Sequence, residues 1–255
     1  MRSAKETVLA AGAEMFGNRD ASAVDAWVSP TYVQHSAMAA DGPEGLRQVI
    51  ARLGDGFRYE PHRALGDGDL VALHGTYYGF GPDPMVAFDV FRVADGRLAE
   101  HWDALQPRSG STVSGRTETD GPTEVTDLDR TEENRVLVTT FVEEVLRGGR
   151  TDALSEYIST ARYDQHNPLI GDGVEGLAAG LAAFAEQGVD MVYETLHLVV
   201  AEGNFVLTVC EGRIGATPTA FYDLFRVEEG RIVEHWDVTP AIPDANLVPH
   251  DNGPF

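Results

Sequence analysis

One stretch of this chain occurs twice, and it constrains the fold more than any other feature. Phe88–Asp103 reads FDVFRVADGRLAEHWD, and Tyr222–Asp237 reads YDLFRVEEGRIVEHWD. Each copy has the pattern of a strand, a turn with glycine, and a second strand that ends in His-Trp-Asp. Solenoid and propeller repeats recur every 20–50 residues or so, a far shorter period than the interval from position 88 to position 222. The repeat therefore predicts two copies of a whole domain.

The charge of the chain excludes two classes of partner. Its 255 residues carry a formal net charge of −22. Such an excess of negative charge repels nucleic-acid phosphates and anionic lipid head groups. We therefore expect no nucleic-acid partner and no membrane partner. Cys210 is the only cysteine, so an intrachain disulfide cannot form.

The N-terminal segment lacks the pattern of a signal peptide. Glu6 lies where such a peptide needs an uninterrupted apolar core. No apolar run reaches the length of about 18 residues that a membrane span requires. The sequence predicts a soluble, cytoplasmic protein.

Both repeats predict the same order of elements. In the first, helical spacing covers residues 5–17, 21–28 and 43–53, and strand patterns cover 32–35, 57–65, 70–78, 85–93 and 98–105. In the second, the helices fall at 135–146, 151–158 and 176–184, and the strands at 163–166, 191–200, 205–214, 219–227 and 232–238. Three helices and a mostly antiparallel sheet predict an α+β unit in which a curved sheet wraps around the helices.

The predicted boundaries follow from composition. The two domains cover residues 1–107 and 132–242, and a C-terminal tail covers 243–255. Between the domains, residues 108–131 are rich in Ser, Thr, Gly and acidic residues, which is typical of a flexible linker.

Polar residues recur at matched positions in the two copies. Six of the eight histidines form pairs: His35 with His166, His62 with His197, and His101 with His235. Asp89 also matches Asp223, and Asp103 matches Asp237. Retention of so many polar residues on otherwise divergent strands indicates a role beyond packing. For His62 and His197, at strand starts, a surface or packing role is the simpler interpretation.

The hairpin allows two registers. A two-residue loop at Asp95-Gly96 places Asp89 opposite Trp102, and a three-residue loop with Gly96 as a left-handed bulge residue places it opposite His101. The second fits Ala94-Asp95-Gly96 better. It puts Asp89, Phe91, His101 and Asp103 on one face and Arg92, Glu100 and Trp102 on the other. Carboxylates on a helix-covered face are costly to bury, which favours a functional role. Arg92 and Glu100 are expected to pair diagonally.

At this point a family resemblance is clear. Tyr163–Pro168 (YDQHNP), Gly68–His74 (GDLVALH), the Asp-x-Phe-Arg-Val strand and Glu-His-Trp-Asp together resemble the SnoaL-like family. These are small cone-shaped proteins of the nuclear-transport-factor-2-like superfold, and polyketide cyclases and ketosteroid isomerase are relatives. The resemblance implies two tandem cone-shaped α+β barrels, packed as an intramolecular pseudo-dimer that is able to remain a monomer.

The resemblance also implies roles for particular residues. In SnoaL-like cyclases an aspartate near the end of the sheet removes a proton next to a carbonyl and so starts an aldol closure. Asp103 and Asp237 match that base. The full set of predicted catalytic residues is Asp103, Asp237, His101, His235, His35 and His166. The predicted substrate-binding residues are Asp89, Asp223, Tyr32, Tyr163, Gln34, Gln165, Asn167, Phe91 and Phe225.

The leading functional hypothesis is a cofactor-independent enzyme of secondary metabolism. It would carry out aldol-type cyclisation or a related proton transfer on a hydrophobic, carbonyl-containing, polyketide-like small molecule. Two alternatives stay open: water addition, as in epoxide hydrolases of the superfold, and non-catalytic binding of a hydrophobic metabolite.

Two further choices concern the site itself. His35, His101 and Asp103 suit a metal by residue type, but no close His-x-His or His-x-x-x-His spacing supports one, so no metal is predicted. The first repeat has Ser36-Ala37 where the second keeps Asn167-Pro168 of the family pattern. This difference favours the second repeat as the catalytic copy.

Overall fold

The computed structural model describes residues 2–255, which divide into two compact units. Unit 1 comprises residues up to Pro107 together with Ile242–Phe255, and unit 2 comprises Arg108–Ala241. The C-terminal tail therefore belongs to the same unit as the first repeat, and the segment after the first repeat belongs to unit 2.

Unit 1 contains three α-helices and one five-stranded sheet. The helices are α1 (Ala4–Gly12), α2 (Val24–Trp27) and α3 (Gly42–Arg52), and a π-helical turn, Ala13–Gly17, extends α1. The strands are β1 (Val28–Gln34), β2 (Arg58–Asp67), β3 (Leu70–Tyr78), β4 (Met85–Ala94) and β5 (Arg97–Pro107).

Unit 2 repeats this order. Its helices are α4 (Thr131–Phe141), continued by a π-helical turn at Val142–Arg147, α5 (Leu154–Tyr157) and α6 (Gly173–Glu186). Its strands are β6 (Asp164–Gln165), β7 (Met191–Glu202), β8 (Phe205–Ile214), β9 (Thr217–Glu228) and β10 (Arg231–Val238).

The two sheets have the same topology. The strand orders are β1-β5-β4-β3-β2 and β6-β10-β9-β8-β7, with the first pair parallel and the others antiparallel. In each unit, apolar side chains of the first helix pack with those of the central strands, for example Val8 with Leu73 and Val138 with Val206. The predicted fold class, two tandem α+β domains each with a curved mixed sheet around helices, is confirmed.

The hairpin register differs from both predicted alternatives. Asp89 lies opposite Asp103, and Asp223 lies opposite Asp237. A tight two-residue turn forms at Asp95-Gly96, where both residues have positive φ (51° and 72°), as a type I′ turn requires. A bulge at Ala99 then shifts the register by one more residue. Turn and bulge together leave the predicted face assignment intact.

The register also changes the pairing on the other face. Arg92 and Glu100 are directly opposite rather than diagonal, and Arg92 Nε donates to Glu100 Oε2 at 2.9 Å. We call the face with Asp89 and Asp103 the inner face, and the face with Arg92 and Glu100 the outer face.

The segment at 108–130, expected to be a flexible linker, makes ordered contacts with unit 2. Ser114 Oγ donates to the carbonyl of Gln165 at 2.7 Å, and Arg116 donates to Asp164 and Asp172. The Nε1 of Trp236 donates to the carbonyl of Asp120 at 3.0 Å. These polar side chains satisfy groups at an edge of the sheet, which the composition alone does not reveal.

None of the helices between residues 2 and 255 has the length and apolar character to cross a membrane.

Candidate active site

The inner face of unit 1 gathers two carboxylates and one imidazole. Asp89 lies on β4, and His101 and Asp103 lie two residues apart on β5, so all three point inward. His101 Nε2 is 3.2 Å from Asp89 Oδ1. Ligand-type atoms of the three side chains lie within 4.8 Å of one another. This set is the polar centre of the candidate site.

Gln34 fixes the orientation of the imidazole. Its Oε1 accepts from the backbone N–H of Ser36 at 2.9 Å, which identifies that atom as the oxygen. The same oxygen lies 2.9 Å from His101 Nδ1, so Nδ1 carries a proton. His101 Nε2 therefore faces Asp89 and shares a proton with it.

Two tyrosines that the sequence reasoning missed complete the surroundings of Asp89. The hydroxyl of Tyr77 donates to Asp89, 3.1 Å from each carboxylate oxygen. The Tyr59 ring lies 4.5 Å from that of Tyr77, and its hydroxyl is buried with no hydrogen-bond partner among the described residues. Burial, reinforced by the charge of Asp89, raises the pKa of both phenols well above the usual value.

Asp103 is a carboxylate with a raised pKa. Burial raises its pKa, and the charge of Asp89 adds to the rise, while His101 and a hydrogen bond from Ser36 oppose it. Ser36 therefore takes the place next to Asp103 that Asn167 takes next to Asp237, where Asn167 Nδ2 donates to Oδ2 at 2.6 Å. In the first repeat the shorter Ser36 side chain thus donates the hydrogen bond that the Asn167 amide donates in the second.

Asp89, His101 and Asp103 line a cavity of about 390 Å³ in unit 1, within the range of roughly 300–1,000 Å³ typical of small-molecule sites. Most of the remaining wall is apolar, including Met15, Phe16, Leu46, Phe57, Phe80 and Leu105. The polar groups lie on the sheet side, and the predicted residues Gln34 and Phe91 also line the cavity.

Unit 2 repeats the polar network. His235 Nδ1 lies 3.0 Å from Gln165 Oε1, and His235 Nε2 lies 3.0 Å from Asp223 Oδ1. Burial lowers the pKa of His235, but the hydrogen bond to Asp223 and the charges of Asp237 and Asp223 outweigh burial and raise it. Burial, assisted by Asp223, also raises the pKa of Asp237.

Three positions in the interior of unit 2 carry larger side chains than their counterparts in unit 1. Glu14 accepts from Trp27 at 2.7 Å, as Glu144 accepts from Tyr157 at 2.8 Å, which aligns the first helices of the two units. Ala11 and Gly12 then correspond to Phe141 and Val142, and Ala39 corresponds to Ile170. All three larger side chains belong to the packed core of unit 2.

Phe141 shows what the larger residues do. Its ring packs edge-on against Phe225, 5.6 Å between centroids. Phe225 is the counterpart of Phe91, which lines the cavity in unit 1. In unit 2 an aromatic side chain therefore packs against the residue whose counterpart in unit 1 lines the cavity.

The structure does not bring His35 or His166 to the inner face. The Nε2 of His35 lies 3.1 Å from Glu100, and its ring stacks on Trp102. His166 likewise contacts Glu234 at 2.9 Å and stacks on Trp236. Gln34 faces inward, so the next residue points outward by the alternation of an extended chain.

The remaining predicted residues lie close to the networks. The hydroxyls of Tyr32 and Tyr163 accept from Gln34 Nε2 (3.4 Å) and Gln165 Nε2 (3.3 Å), and both rings are buried. Phe91 stacks on His101, and Phe225 stacks on His235, with centroids 4.4 and 4.8 Å apart. These residues hold the imidazoles in place.

A sequence model of the SnoaL-like domain matches residues 9–101 and 138–235. The matched regions make up most of the chain and cover both repeats, so the protein belongs to the SnoaL-like domain family. It carries two copies of that domain. No curated protein matches the sequence.

Several solved structures resemble one domain of the chain. TsrD from Streptomyces laurentii is 20% identical, with 42% of this chain and 90% of that chain covered and a TM-score of 0.37. A LEH-like epoxide hydrolase from M. tuberculosis is 25% identical (40% and 82% covered, TM-score 0.35). A SnoaL-like polyketide cyclase from Agrobacterium tumefaciens is 12% identical (42% and 93% covered, TM-score 0.36). Because these TM-scores are low, the sequence match alone assigns the chain to its family.

Proposed function

We propose that unit 1 is an acid–base enzyme that removes a proton from carbon next to a carbonyl group of an apolar small molecule. The observation that carries the proposal is Asp103, a carboxylate of raised pKa that lines an apolar cavity beside the His101–Asp89 pair. An ordinary aspartate is a weak base, and burial strengthens it. Aldol closure of a polyketide-like chain is the reaction that such proton removal would start.

His101 and Asp89 support the base. The His101 charge favours the ionised form of Asp103, and so limits the rise in its pKa. Asp89 in turn accepts from His101 and from Tyr77. The shared proton between His101 and Asp89 gives the site a proton donor next to the base, which a closure step needs to neutralise the new alkoxide.

Tyr59 supplies a hydroxyl for the developing enolate. A positioned base contributes on the order of 10²–10⁴-fold, so further stabilisation of the transition state is required. The Tyr59 side chain lines the cavity, and its buried hydroxyl has no partner among the described residues. A phenol that makes no bond in the free protein is able to donate to a substrate oxygen without breaking one.

Unit 1 is the better candidate for turnover. The cavity described above lies there, and unit 2 has Phe141, Val142 and Ile170 at positions that are Ala11, Gly12 and Ala39 in unit 1. This reverses the preference drawn from the intact Gln-His-Asn-Pro of the second repeat. On this proposal unit 2 keeps its polar network as a structural element.

Hydrogen–deuterium exchange at carbon tests the proposal without a known substrate. Apolar cyclic ketones and β-diketones are incubated with the protein in D₂O, and loss of the α-proton signal is followed by NMR. Asp103→Asn should slow exchange at least 100-fold, in line with the contribution of a general base. Asp237→Asn is the matched control and should leave the rate unchanged.

Two results would contradict this assignment. Equal rates for Asp103→Asn and the unaltered protein would remove Asp103 as the base. Incorporation of ¹⁸O from labelled water into epoxide probes, with no α-proton exchange in ketones, would favour water addition by the same carboxylates instead.

A further inference from the structure

We infer that the C-terminal tail, residues 249–255, is a positioning strap that holds the Gln34–Ser36 segment in place for the site of unit 1. The inference rests on the proposed function for its catalytic consequence. Its structural part, the dependence of residues 34–36 on the tail, stands independently of that function.

The tail contacts the backbone of this segment at two adjacent points. His250 Nε2 lies 3.0 Å from the carbonyl oxygen of Ser36. Asn252 Nδ2 donates to the carbonyl oxygen of Gln34 at 2.9 Å, and to Asp41 Oδ1 at the same distance. Asp41 Oδ1 also accepts from the backbone N–H of Gln34. Asn252 therefore joins both backbone groups of Gln34 to the tail, one directly and one through Asp41.

The His250 side chain also makes a contact within the tail. Ser36 offers a carbonyl oxygen, so His250 must donate from Nε2. Its Nδ1 then accepts from the backbone N–H of Asn252 at 3.4 Å. One neutral tautomer of His250 satisfies both contacts, and Asp251 between them is exposed.

A third contact reaches the outer face. His35 Nδ1 donates to the carbonyl oxygen of Gly253 at 2.9 Å, while its Nε2 faces Glu100. The segment thus contacts the site on one face and the tail on the other. Gln34 and Ser36 point towards His101 and Asp103, and His35 between them binds the tail.

Unit 2 makes three of these four contacts with unrelated residues, drawn from the segment after β5. Ser114 Oγ donates to the carbonyl of Gln165 in place of Asn252. Arg116 binds Asp172, the counterpart of Asp41. His166 Nδ1 lies 2.6 Å from the carbonyl oxygen of Thr117, a contact that corresponds to the one between His35 Nδ1 and Gly253. Two unlike sequences that satisfy the same groups indicate a docking position that each unit needs filled.

The strap acts on chemistry through the residues that it holds. Gln34 fixes the Nδ1 proton of His101, and Ser36 hydrogen-bonds Asp103. A shift of about 1 Å in either would misplace the base and the imidazole, an error worth up to about 100-fold in rate. His250 and Asn252 are therefore positioning residues and touch no reacting atom.

Amide hydrogen exchange in the full chain tests the structural part. The variants are His250→Ala, His250→Gln, whose side-chain amide is able to donate to Ser36, and Asp251→Ala as the neighbouring control. Exchange at the amides of residues 34–36 should be about three- to tenfold faster in His250→Ala, the effect of losing one net hydrogen bond. His250→Gln should recover protection, and Asp251→Ala should match the unaltered protein.

A trans experiment gives a second readout. A chain that ends at Ala241 should show the same loss of protection, and a synthetic peptide of residues 242–255 should restore it. The amides of β3, which belongs to unit 1, serve as an internal control for folding. Unchanged protection of residues 34–36 in both His250→Ala and the shortened chain would overturn the inference.

The catalytic part has its own readout. For a ketone that the protein exchanges, His250→Ala should lower kcat about tenfold with less than a threefold change in KM, and His250→Gln should recover it. Faster amide exchange with unchanged kcat would overturn the positioning role. If Asp103→Asn has no effect on ketone exchange, the proposed function fails while the amide result still decides the strap.

Discussion

His101 Nδ1 lies 2.9 Å from Gln34 Oε1, an oxygen that also accepts the backbone N–H of Ser36. The second repeat has the same relationship between His235 and Gln165, at 3.0 Å. In each unit one amide oxygen thus sets which imidazole nitrogen carries a proton. The other nitrogen is left to Asp89 or Asp223.

Replacement of this glutamine should lower the stability of either unit, but it should lower turnover only in unit 1. Gln34→Met leaves the buried N–H groups of His101 and Ser36 without an acceptor, which costs about 1–3 kcal/mol of unfolding free energy. Gln165→Met should cost a similar amount in unit 2. Urea unfolding measures both losses, and ketone exchange should fall only for Gln34→Met. Equal turnover in the two variants would contradict the assignment of the active unit.

The pH dependence of turnover should reflect the raised pKa of Asp103. The ionised carboxylate is the base, so kcat/KM should rise with pH through that pKa and then level off. The acid limb should lie above 3.8, the ordinary value for aspartate. A pH profile of ketone exchange measures it. A limb at or below the ordinary value would show that the base is another group.

The same raised pKa predicts a change in stability. Burial favours protonated Asp103 in the folded state, so its contribution to stability is full below the ordinary pKa and is lost as pH rises through the folded value. The Asp103→Asn variant has no carboxylate to ionise, so it does not lose this stability as pH rises. The variant should gain thermal stability over the unaltered protein at pH 7.5, and this gain should shrink near pH 4. Thermal unfolding at the two pH values is the measurement.

Gly12 tests the importance of the cavity. A Cβ built at Gly12 meets no atom within 4 Å, and the residue lines the cavity. Gly12→Leu should project into that space and lower kcat/KM about tenfold or more. Gly12→Ala, the control, should raise stability by about 0.5–1 kcal/mol through helix propensity, with little loss of turnover. Unimpaired turnover in Gly12→Leu would place the substrate elsewhere.

The Arg-Glu pairs of the outer faces should differ in strength. Arg226 and Glu234 are nearly inaccessible, with side chains 3% and 1% exposed, and lie 2.6 Å apart. Arg226→Met leaves buried Glu234 with only its contact to His166 and should cost up to about 3–5 kcal/mol. The matched Arg92–Glu100 pair is 34% and 24% exposed, so Arg92→Met should cost about 1 kcal/mol or less. Urea unfolding of the two variants compares them.

The repeated pattern predicted the fold and the inner face, because a register error of an even number of residues leaves every side chain on its predicted face. A slip of one residue would have turned Asp103 outward. The predicted three-residue loop was wrong, yet the two-residue turn and the bulge at Ala99 add up to the same parity. A bulge of this kind has no composition signal, so the pairing of Asp89 with Asp103 was not predictable.

Other parts of the site depend on contacts between distant elements. Tyr77 reaches Asp89 from β3, and Tyr59 packs on Tyr77 from the neighbouring strand β2, and no local motif marks either residue. His35 is different, since alternation along Gln34-His35 already opposed an inward orientation for both. The larger side chain at position 141 also had a signal, Phe141 against Ala11, but its meaning required the helix to be placed over the sheet.

The contacts of His250, Asn252 and Gly253 bear on biosynthesis as well as on structure. During translation the first repeat emerges from the ribosome before the second. Its sheet is able to form as soon as its last strand has emerged. The groups that hold Gln34 and Ser36 arrive only with residues 250–253, after the whole of the second repeat has been translated. A nascent chain that has not yet reached residue 250 would therefore carry its base and imidazole without the support that orients them.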